Sequence, residues 1–389
     1  MRVCLSVFTI LSFGFYLNAG FFIPKPLSAR ARQLLTSFSS PSPSPVSSPH
    51  STWPTSSPPY LPFFDEWHCL GIFDRIDFTK PYTTNIGDLP LVLWKDTEGR
   101  VHTAINICKH MGTRFDHGKI TSSGCLKCPY HGLEYDHRDA IGQTVVHQDR
   151  IFWAYRPKTK TPPSVPFYDN PNYETSFIQI DMPCSLPDAA LNTMDLIHPE
   201  YVHANMFGFG NNIPPTNIRK YLYPNPNMVG MSFNYASTGY SARGSNFTEN
   251  FNLFQYPNFG FSKVRVPESD RNLIIGVNFL PLEPKRTRWF VTIAHDYYKT
   301  PLKKLFMRAM TASILFQDFV QIRHQYEENE LKRAALFRFI FKNEPAVLHL
   351  KEIFRNDFKY PDVLECAKLY HHYSDPASQC GDNNPNCQV

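Results

Sequence analysis

Acidic residues are missing from the start of this chain: Asp65 is the first Asp or Glu, whereas Arg2, Lys25, Arg30 and Arg32 all precede it. The formal charge of +5 is therefore a property of the leader, since without those four residues 35 basic side chains stand against 34 acidic ones. A near-neutral body without a basic stripe excludes nucleic acid as the main partner, because phosphate binding needs clustered Lys and Arg. Long apolar runs are also missing. After residue 60 none reaches the roughly 20 residues of a transmembrane helix, so no membrane anchor is expected in the mature chain. Regular cysteine spacing is lacking too, which argues against a disulfide framework. Of the nine cysteines, Cys4 lies in the leader. Cys380 and Cys387 bracket a Gly/Asn/Pro-rich tail, as a terminal disulfide or as free thiols.

What is present is a hydrophobic content of 42% and an aromatic content of 15% in 389 residues, which excludes global disorder and allows one large domain or two ordinary ones. Residues 1–20 have an early positive charge, an apolar centre and small residues at the end, the layout of a secretory signal. Residues 21–60 are Ser- and Pro-rich, contain Arg and no acid, and cannot pack. A signal followed at once by Phe21, Phe22 and Pro24 and then by transit-like text resembles the two-part plastid address of algae with secondary plastids. The alternative is plain secretion with a disordered linker.

From Trp67 the text changes to short alternating runs. LPLVLWKD, a turn at Thr97, Glu98 and Gly99, and VHTAINI predict a hairpin. Strands continue through residues 151–157. The segment 159–171 carries four prolines and reads as a connection between domains. A second strand-rich region runs from about Met228 to Tyr298, and from Pro301 three-and-four spacing without Pro or Gly predicts a long helix. The expected layout is 61–165 and 166–372 as two domains, with 373–389 as a flexible tail.

The segment CKHMGTRFDHGKITSSGCLKCPYHG places Cys108 and His110 as C-x-H and Cys128 and His131 as C-x2-H, with seventeen residues between the pairs. Two Cys and two His in two compact loops fit a 2Fe-2S cluster in which one iron has two thiolates and the other two imidazoles. Gly112, Gly118 and Gly132 suit tight turns beside those ligands. The competing reading is a structural zinc site built on Cys108, Cys125, Cys128 and a His. His117, His137 and His147 are expected to be solvent-facing or hydrogen-bonded loop residues.

The segment LNTMDLIHPEYVHANMFG supplies a second constellation, in which His198 and His203 are separated by four residues and Asp195 lies three before His198. Two imidazoles and one carboxylate on one face of an iron leave positions open for dioxygen and substrate.

The C-x-H, C-x2-H pattern ending in CPYHG resembles the Rieske family over residues 61–165, with Met111 where an Arg is common. Following it, N-x2-D-x2-H-x4-H at Asn192, Asp195, His198 and His203 resembles the Rieske non-haem iron oxygenases. That resemblance implies an α+β architecture: an N-terminal all-β Rieske domain and an antiparallel-sheet, helix-grip-like catalytic domain with a long C-terminal helix. It implies one 2Fe-2S cluster and one mononuclear Fe(II) per chain, with His198, His203 and a downstream acid as iron ligands. Asp318, flanked by Leu315, Phe316, Phe319 and Val320, fits that acid; Asp296, Glu327 and Glu328 compete. It further implies that Asp195 bridges to a Rieske His of a neighbouring subunit, that Asn192 sits beside the iron, and that the chain forms a homotrimer. Electrons would come from a ferredoxin or reductase, and dioxygen would oxidise a small organic substrate, possible choices including a chlorophyll-related tetrapyrrole or another apolar plastid metabolite. The aromatic residues between Phe233 and Phe261 suit such a ligand, although sheet packing explains most of them. The alternative from another class is a Rieske electron carrier of a plastid protein-import assembly, which would not need His198, His203 and a distant acid.

The leader generates a first prediction. Residues 1–60 fused to a fluorescent protein should enter the plastid of an alga with secondary plastids, and replacing Phe21 should reduce entry. Imaging that finds the fusion held in the secretory route would instead support secretion.

Overall fold

The computed structural model describes residues 63–203, 215–223, 227–236, 247–265, 270–327, 345–363, 366, 367, 369 and 370. The leader segments 1–20 and 21–60, Glu328, and the tail 373–389 with Cys380 and Cys387 lie outside the described residues.

Nine strands occupy the N-terminal part: β1 (His68–Ile72), β2 (Tyr82–Ile86), β3 (Leu89–Lys95), β4 (Val101–Ile105), β5 (Lys119–Ile120), β6 (Leu126–Lys127), β7 (Glu134–Tyr135), β8 (Gln143–His147) and β9 (Arg150–Ala154). They form three antiparallel sheets ordered β1-β9-β8, β2-β3-β4 and β5-β6-β7. The hairpin expected around Thr97 is β3–β4, with Lys95 opposite Val101. Its turn closes because the Asp96 carboxylate accepts from the amides of Glu98 and Arg100, both at 2.9 Å, and Gly99 takes a left-handed φ of 82°. Leu91, Val92, Leu93 and Trp94 of β3 are all fully buried, so this strand is covered on both faces, as its unbroken apolar run suggests.

Seven longer strands make the second layer: β10 (Glu174–Met182), β11 (Thr216–Leu222), β12 (Met228–Ala236), β13 (Phe247–Gln255), β14 (Phe259–Arg265), β15 (Asn272–Glu283) and β16 (Arg286–His295). Their antiparallel order is β10-β16-β15-β14-β13-β12-β11. The chain leaves β10 at one edge, enters β11 at the other, and meanders back to β16, which pairs with β10 from Glu174 opposite His295 to Met182 opposite Thr287. β10 and β11 are the edge strands. They are half-wet and carry charges, which is why their text lacks the long apolar runs that revealed β12 to β16.

Four helices complete the described fold: α1 (Leu186–Met194), α2 (His198–Val202), α3 (Pro301–Glu327) and α4 (Pro345–Asp357). α1 starts where Ser185 caps the Asp188 amide at 3.3 Å with Pro187 in the first turn, and it crosses β13 to β16. Alternation divides the large sheet. Val277, Phe279, Trp289, Val291 and Ile293 face the helices and pack with Leu186, Ala190, Met194, Leu315 and Leu350. Leu280, Leu282 and Phe290 face the other way, into one core with Trp94, Phe152 and Trp153 of the N-terminal sheets. The aromatic residues divide likewise: Phe233 and Phe254 lie on the helix side, while Phe259 and Phe261 pack with Val165 on the other. The expected α+β architecture, a small-sheet β part plus a larger antiparallel sheet with a long helix, is the observed one.

Two buried polar residues stitch the N-terminal part to the large sheet. Arg150, fully buried, donates to Asn278 Oδ1 at 2.6 Å and to Gln148 Oε1 at 2.8 Å. His68, also fully buried, bonds the Phe63 carbonyl through Nε2 at 2.8 Å and accepts at Nδ1 from Asn258 Nδ2 at 2.9 Å. That pairing requires neutral imidazole with its proton on Nε2. Burial pushes the His68 pKa down to about 4. The unfolded chain therefore takes up the proton first, and the stability that neutral His68 contributes is full above about pH 6.5 and lost as pH falls to about 4. The advantage of wild type over His68→Gln in denaturant unfolding should shrink by about 3 kcal/mol across that window. An advantage independent of pH would show that His68 is not held neutral.

Candidate metal centres

The two loops carrying Cys108 and Cys128 are built alike. The Cys108 amide donates to the Thr113 carbonyl and its carbonyl accepts from the Gly112 amide, both at 2.8 Å. The Cys128 amide donates to the Leu133 carbonyl at 2.8 Å and its carbonyl accepts from the Gly132 amide at 3.1 Å. Each loop reverses at a left-handed glycine, with φ 73° at Gly112 and 76° at Gly132, a conformation that costs other residues about 1 kcal/mol or more. Both sulfurs are buried, and the exposed His110 and His131 turn their Nδ1 atoms to within 3.1 Å of one another. Two thiols below and two imidazoles above make the donor set that a 2Fe-2S cluster takes.

Sequence reasoning missed Tyr135, the buried residue behind this pair of loops. Its hydroxyl donates to Cys108 Sγ at 3.3 Å and accepts from the Lys109 amide at 2.7 Å. Its ring meets Phe115 edge-on at 4.9 Å. A hydroxyl bonded to a ligand sulfur is one of the levers that tune cluster potentials. Position alone, four residues after His131, carried no sign of it. His117 and His137 are exposed and His147 bonds Ser164 Oγ at 2.8 Å, as expected of loop histidines.

The second constellation starts where α1 ends. Asp195 leaves the helix with extended backbone, and its Oδ1 accepts from the amides of Ile197 at 2.8 Å and His198 at 3.2 Å, which opens α2. Its other oxygen, Oδ2, lies 3.4 Å from His198 Nδ1. His203 caps the far end of α2 and its Nδ1 meets Gln317 Oε1 at 2.8 Å. His203 Nδ1 is thus hydrogen-bonded, His198 Nδ1 has only the longer approach to Asp195 and no hydrogen bond, and both rings present Nε2 to Asp318 Oδ1, at 3.7 Å from His198 and 3.2 Å from His203. Donor atoms of these three residues all lie within 4.8 Å of one another, and no other group of three His, Cys, Asp or Glu is so placed among the described residues. Cys125 therefore joins no compact zinc-type set with Cys108 and Cys128.

Asp318 reaches this point because of its phase on α3. Met307, Thr311, Ile314, Leu315, Asp318 and Ile322 are the buried positions, spaced by three and four, so a carboxylate falls in an apolar stripe. Burial disfavours charge on His198, but the facing carboxylate of Asp195, together with the charge of Asp318, outweighs it and raises its pKa above the ordinary value. Of the competitors, Asp296 is spent on the Asn272 amide at 3.0 Å, the Glu327 side chain is not described, and Glu328 lies outside the described residues. Asn192 sits half-buried on the last turn of α1, three residues before Asp195. A divalent ion fits the three-donor arrangement: two imidazole nitrogens and a carboxylate converge, with His203 braced by Gln317 on its far nitrogen and a carboxylate oxygen of Asp195 facing that of His198.

Comparison with known proteins finds likenesses of one kind. Residues 66–152 match the Rieske [2Fe-2S] domain. The chain is homologous to the Rieske oxygenases. It is 23% identical over 275 residues to pheophorbide a oxygenase, chloroplastic, of Oryza sativa subsp. japonica, covering 60% of this chain and 50% of that one. It is 30% identical over 159 residues to the oxygenase component of dicamba O-demethylase of Stenotrophomonas maltophilia, covering 35% and 46%. The chain thus spans about half the length of these curated relatives. The crystal structure of dicamba monooxygenase bound to dicamba superposes with a TM-score of 0.63 at 16% identity, over 78% of this chain and 99% of that one, so the Rieske oxygenase fold is shared.

Gln317 is the second residue that sequence reasoning missed, and it is testable. Because its amide oxygen orients His203, Gln317→Leu should weaken ferrous-ion binding about 10- to 100-fold in anaerobic titration while leaving the cluster's visible absorption unchanged. Equal affinity in the two proteins would mean that His203 needs no such brace.

Proposed function

We propose that this chain is the oxygenase of a Rieske system and oxidises an apolar organic substrate with dioxygen. The observation that carries the reading is the convergence of His198 Nε2, His203 Nε2 and Asp318 Oδ1 in a chain that also has a Rieske domain. In this reading Cys108, His110, Cys128 and His131 hold the 2Fe-2S cluster, and His198, His203 and Asp318 hold one ferrous ion. Bound there, the ion would supply dioxygen activation, with electrons delivered by a ferredoxin or reductase by way of the cluster. The protein's own part is to set donors and exclude competing reactions. His198 and His203 would offer ring nitrogens, Asp318 would offset the metal charge inside an apolar stripe, and Asp195 and Gln317 face the far sides of the rings. A carrier that only moved electrons would have no use for three convergent donors beside the sheet.

For substrate, a chlorophyll-related tetrapyrrole is the best-supported choice. Its support is the rice relative named pheophorbide a oxygenase, which matches over 60% of this chain. The chloroplastic relatives and the leader together support a plastid location, and the resemblance stated above supports a homotrimer in which Asp195 also serves the neighbouring cluster.

Two substitutions separate the roles of the carboxylates. Asp318→Ala should lose mononuclear iron, measured by metal analysis, while acid-labile sulfide and the cluster's EPR signal persist. Asp195→Asn keeps an oxygen to cap α2, so iron should stay bound while single-turnover oxidation of the cluster slows by a factor on the order of 10 or more. Iron loss in the Asp195 variant with retention in the Asp318 variant would exchange the assignments, and zinc in place of iron and sulfide in the wild type would end the reading.

A further inference from the structure

The helix α3 has a second apolar face that the iron site does not use. Its buried stripe runs through Met307, Thr311, Ile314, Leu315, Asp318 and Ile322. On the opposite side Leu302, Leu305 and Phe306 are 77%, 62% and 58% exposed, and Ala309, Ala312 and Phe316 continue the same stripe, with Phe316 61% exposed. A helix with one face on a core should show polar side chains on the other. Here the outward face of the first four turns is apolar instead, a contiguous arrangement that soluble proteins reserve for interaction sites.

The charges that the helix itself carries along this stripe are all of one sign. Between Tyr297 and Gln317 stand Lys299, Lys303, Lys304 and Arg308, and no Asp or Glu. Lys304 is neutralised in part by Glu174 at 2.5 Å, and Lys303 lies over the Tyr298 ring at 5.3 Å, with Arg308 exposed beside the stripe. Exposed Leu and Phe bounded by Lys and Arg are what an anionic lipid surface selects: apolar side chains enter the acyl boundary while the cations meet head groups. No helix among the described residues is long and apolar enough to cross a membrane, so the contact would be peripheral. We propose that the first half of α3, from Leu302 to Phe316, docks the protein on an anionic bilayer. Asp318 follows Leu305 by thirteen residues on the same helix, about 20 Å along its axis.

The test uses the full-length holoprotein and vesicles of phosphatidylcholine with or without phosphatidylglycerol. Hydroxyl-radical footprinting reads side-chain exposure locally, so lipid binding by the leader does not obscure it. Vesicles containing phosphatidylglycerol should lower the oxidation of Leu302, Leu305 and Phe306 at least ~threefold, and pure phosphatidylcholine should protect far less. The double change Lys303→Glu with Arg308→Glu should abolish the preference for anionic lipid. Leu305→Ser with Phe306→Ser should remove the remaining protection along the helix, read at Leu302 and Phe316. Circular dichroism and cluster absorption should match wild type, since the replaced side chains are exposed. Two results overturn the proposal. One is oxidation that vesicles leave unchanged. The other is protection that needs no lipid, rises with protein concentration and disappears together with an oligomer in light scattering, which would make this face a contact between copies of the chain.

Discussion

A carboxylate placed in the buried stripe of a helix must be compensated, and much of the helix side of this molecule is arranged around that requirement. Taking an ion out of water costs several kcal/mol even after relaxation, so Asp318 is tolerable only with positive charge or donors against it. His198 and His203 supply those donors, yet they precede it in sequence by 120 and 115 residues. The six intervening strands return the chain to β16, beside β10, and α3 then leaves that edge to lie over α2. The register of β10 against β16, continuous over nine residue pairs, therefore sets where Asp318 can reach.

Around these three groups the structure assigns a use to the atoms that do not converge. Asp195 divides its two oxygens, Oδ1 accepting from the Ile197 and His198 amides where α2 begins and Oδ2 facing the His198 ring. Gln317, adjacent in sequence to Asp318, points at His203, so a single turn of α3 contributes both a donor and the brace for another donor. Thr193, two residues before Asp195, gives its carbonyl to Asn252 of β13 at 3.2 Å, which ties the end of α1 to the sheet beneath it. Imidazoles held in this way lose little freedom when they bind a metal, which is the physical basis of preorganised affinity.

The other face of the sheet carries the cluster-bearing part, and its attachment is polar as well as apolar. Asn278, Gln148 and the faces of Phe152 and Tyr168 surround the Arg150 guanidinium. His68 is kept neutral by burial, and two hydrogen bonds of opposite sense fix its tautomer. Near the C-terminal end of the described chain, Cys366 and Leu369 join the N-terminal core and the Tyr370 hydroxyl bonds the Asp88 carbonyl at 3.2 Å. The two parts are thus laced at both ends of the sequence, and a shared core rather than a linker fixes their arrangement.

Local chemistry made some features legible in the sequence alone. The four cluster-type donors were readable because each pair lies within one short loop closed by a glycine, and the β3–β4 hairpin was readable because its turn residues bond their own backbone. The pair His198 and His203 was readable for the same reason, since five residues span them. Tertiary structure decided the rest. The apolar flanks of Asp318 already favoured it over Asp296, but its approach to His198 and His203 came only from helix phase and from the fold that lays α3 over α2. Tyr135 and Gln317 gave no sequence signal, because their roles are bonds to residues that other parts of the chain bring near. The edge strands β10 and β11 escaped notice because charge-bearing strands without a well-buried face lack the apolar alternation that marks a half-buried one. What sequence determined was the chemistry each short segment can perform; which segments meet was decided by burial of the sheet's two faces, a property of no segment taken singly.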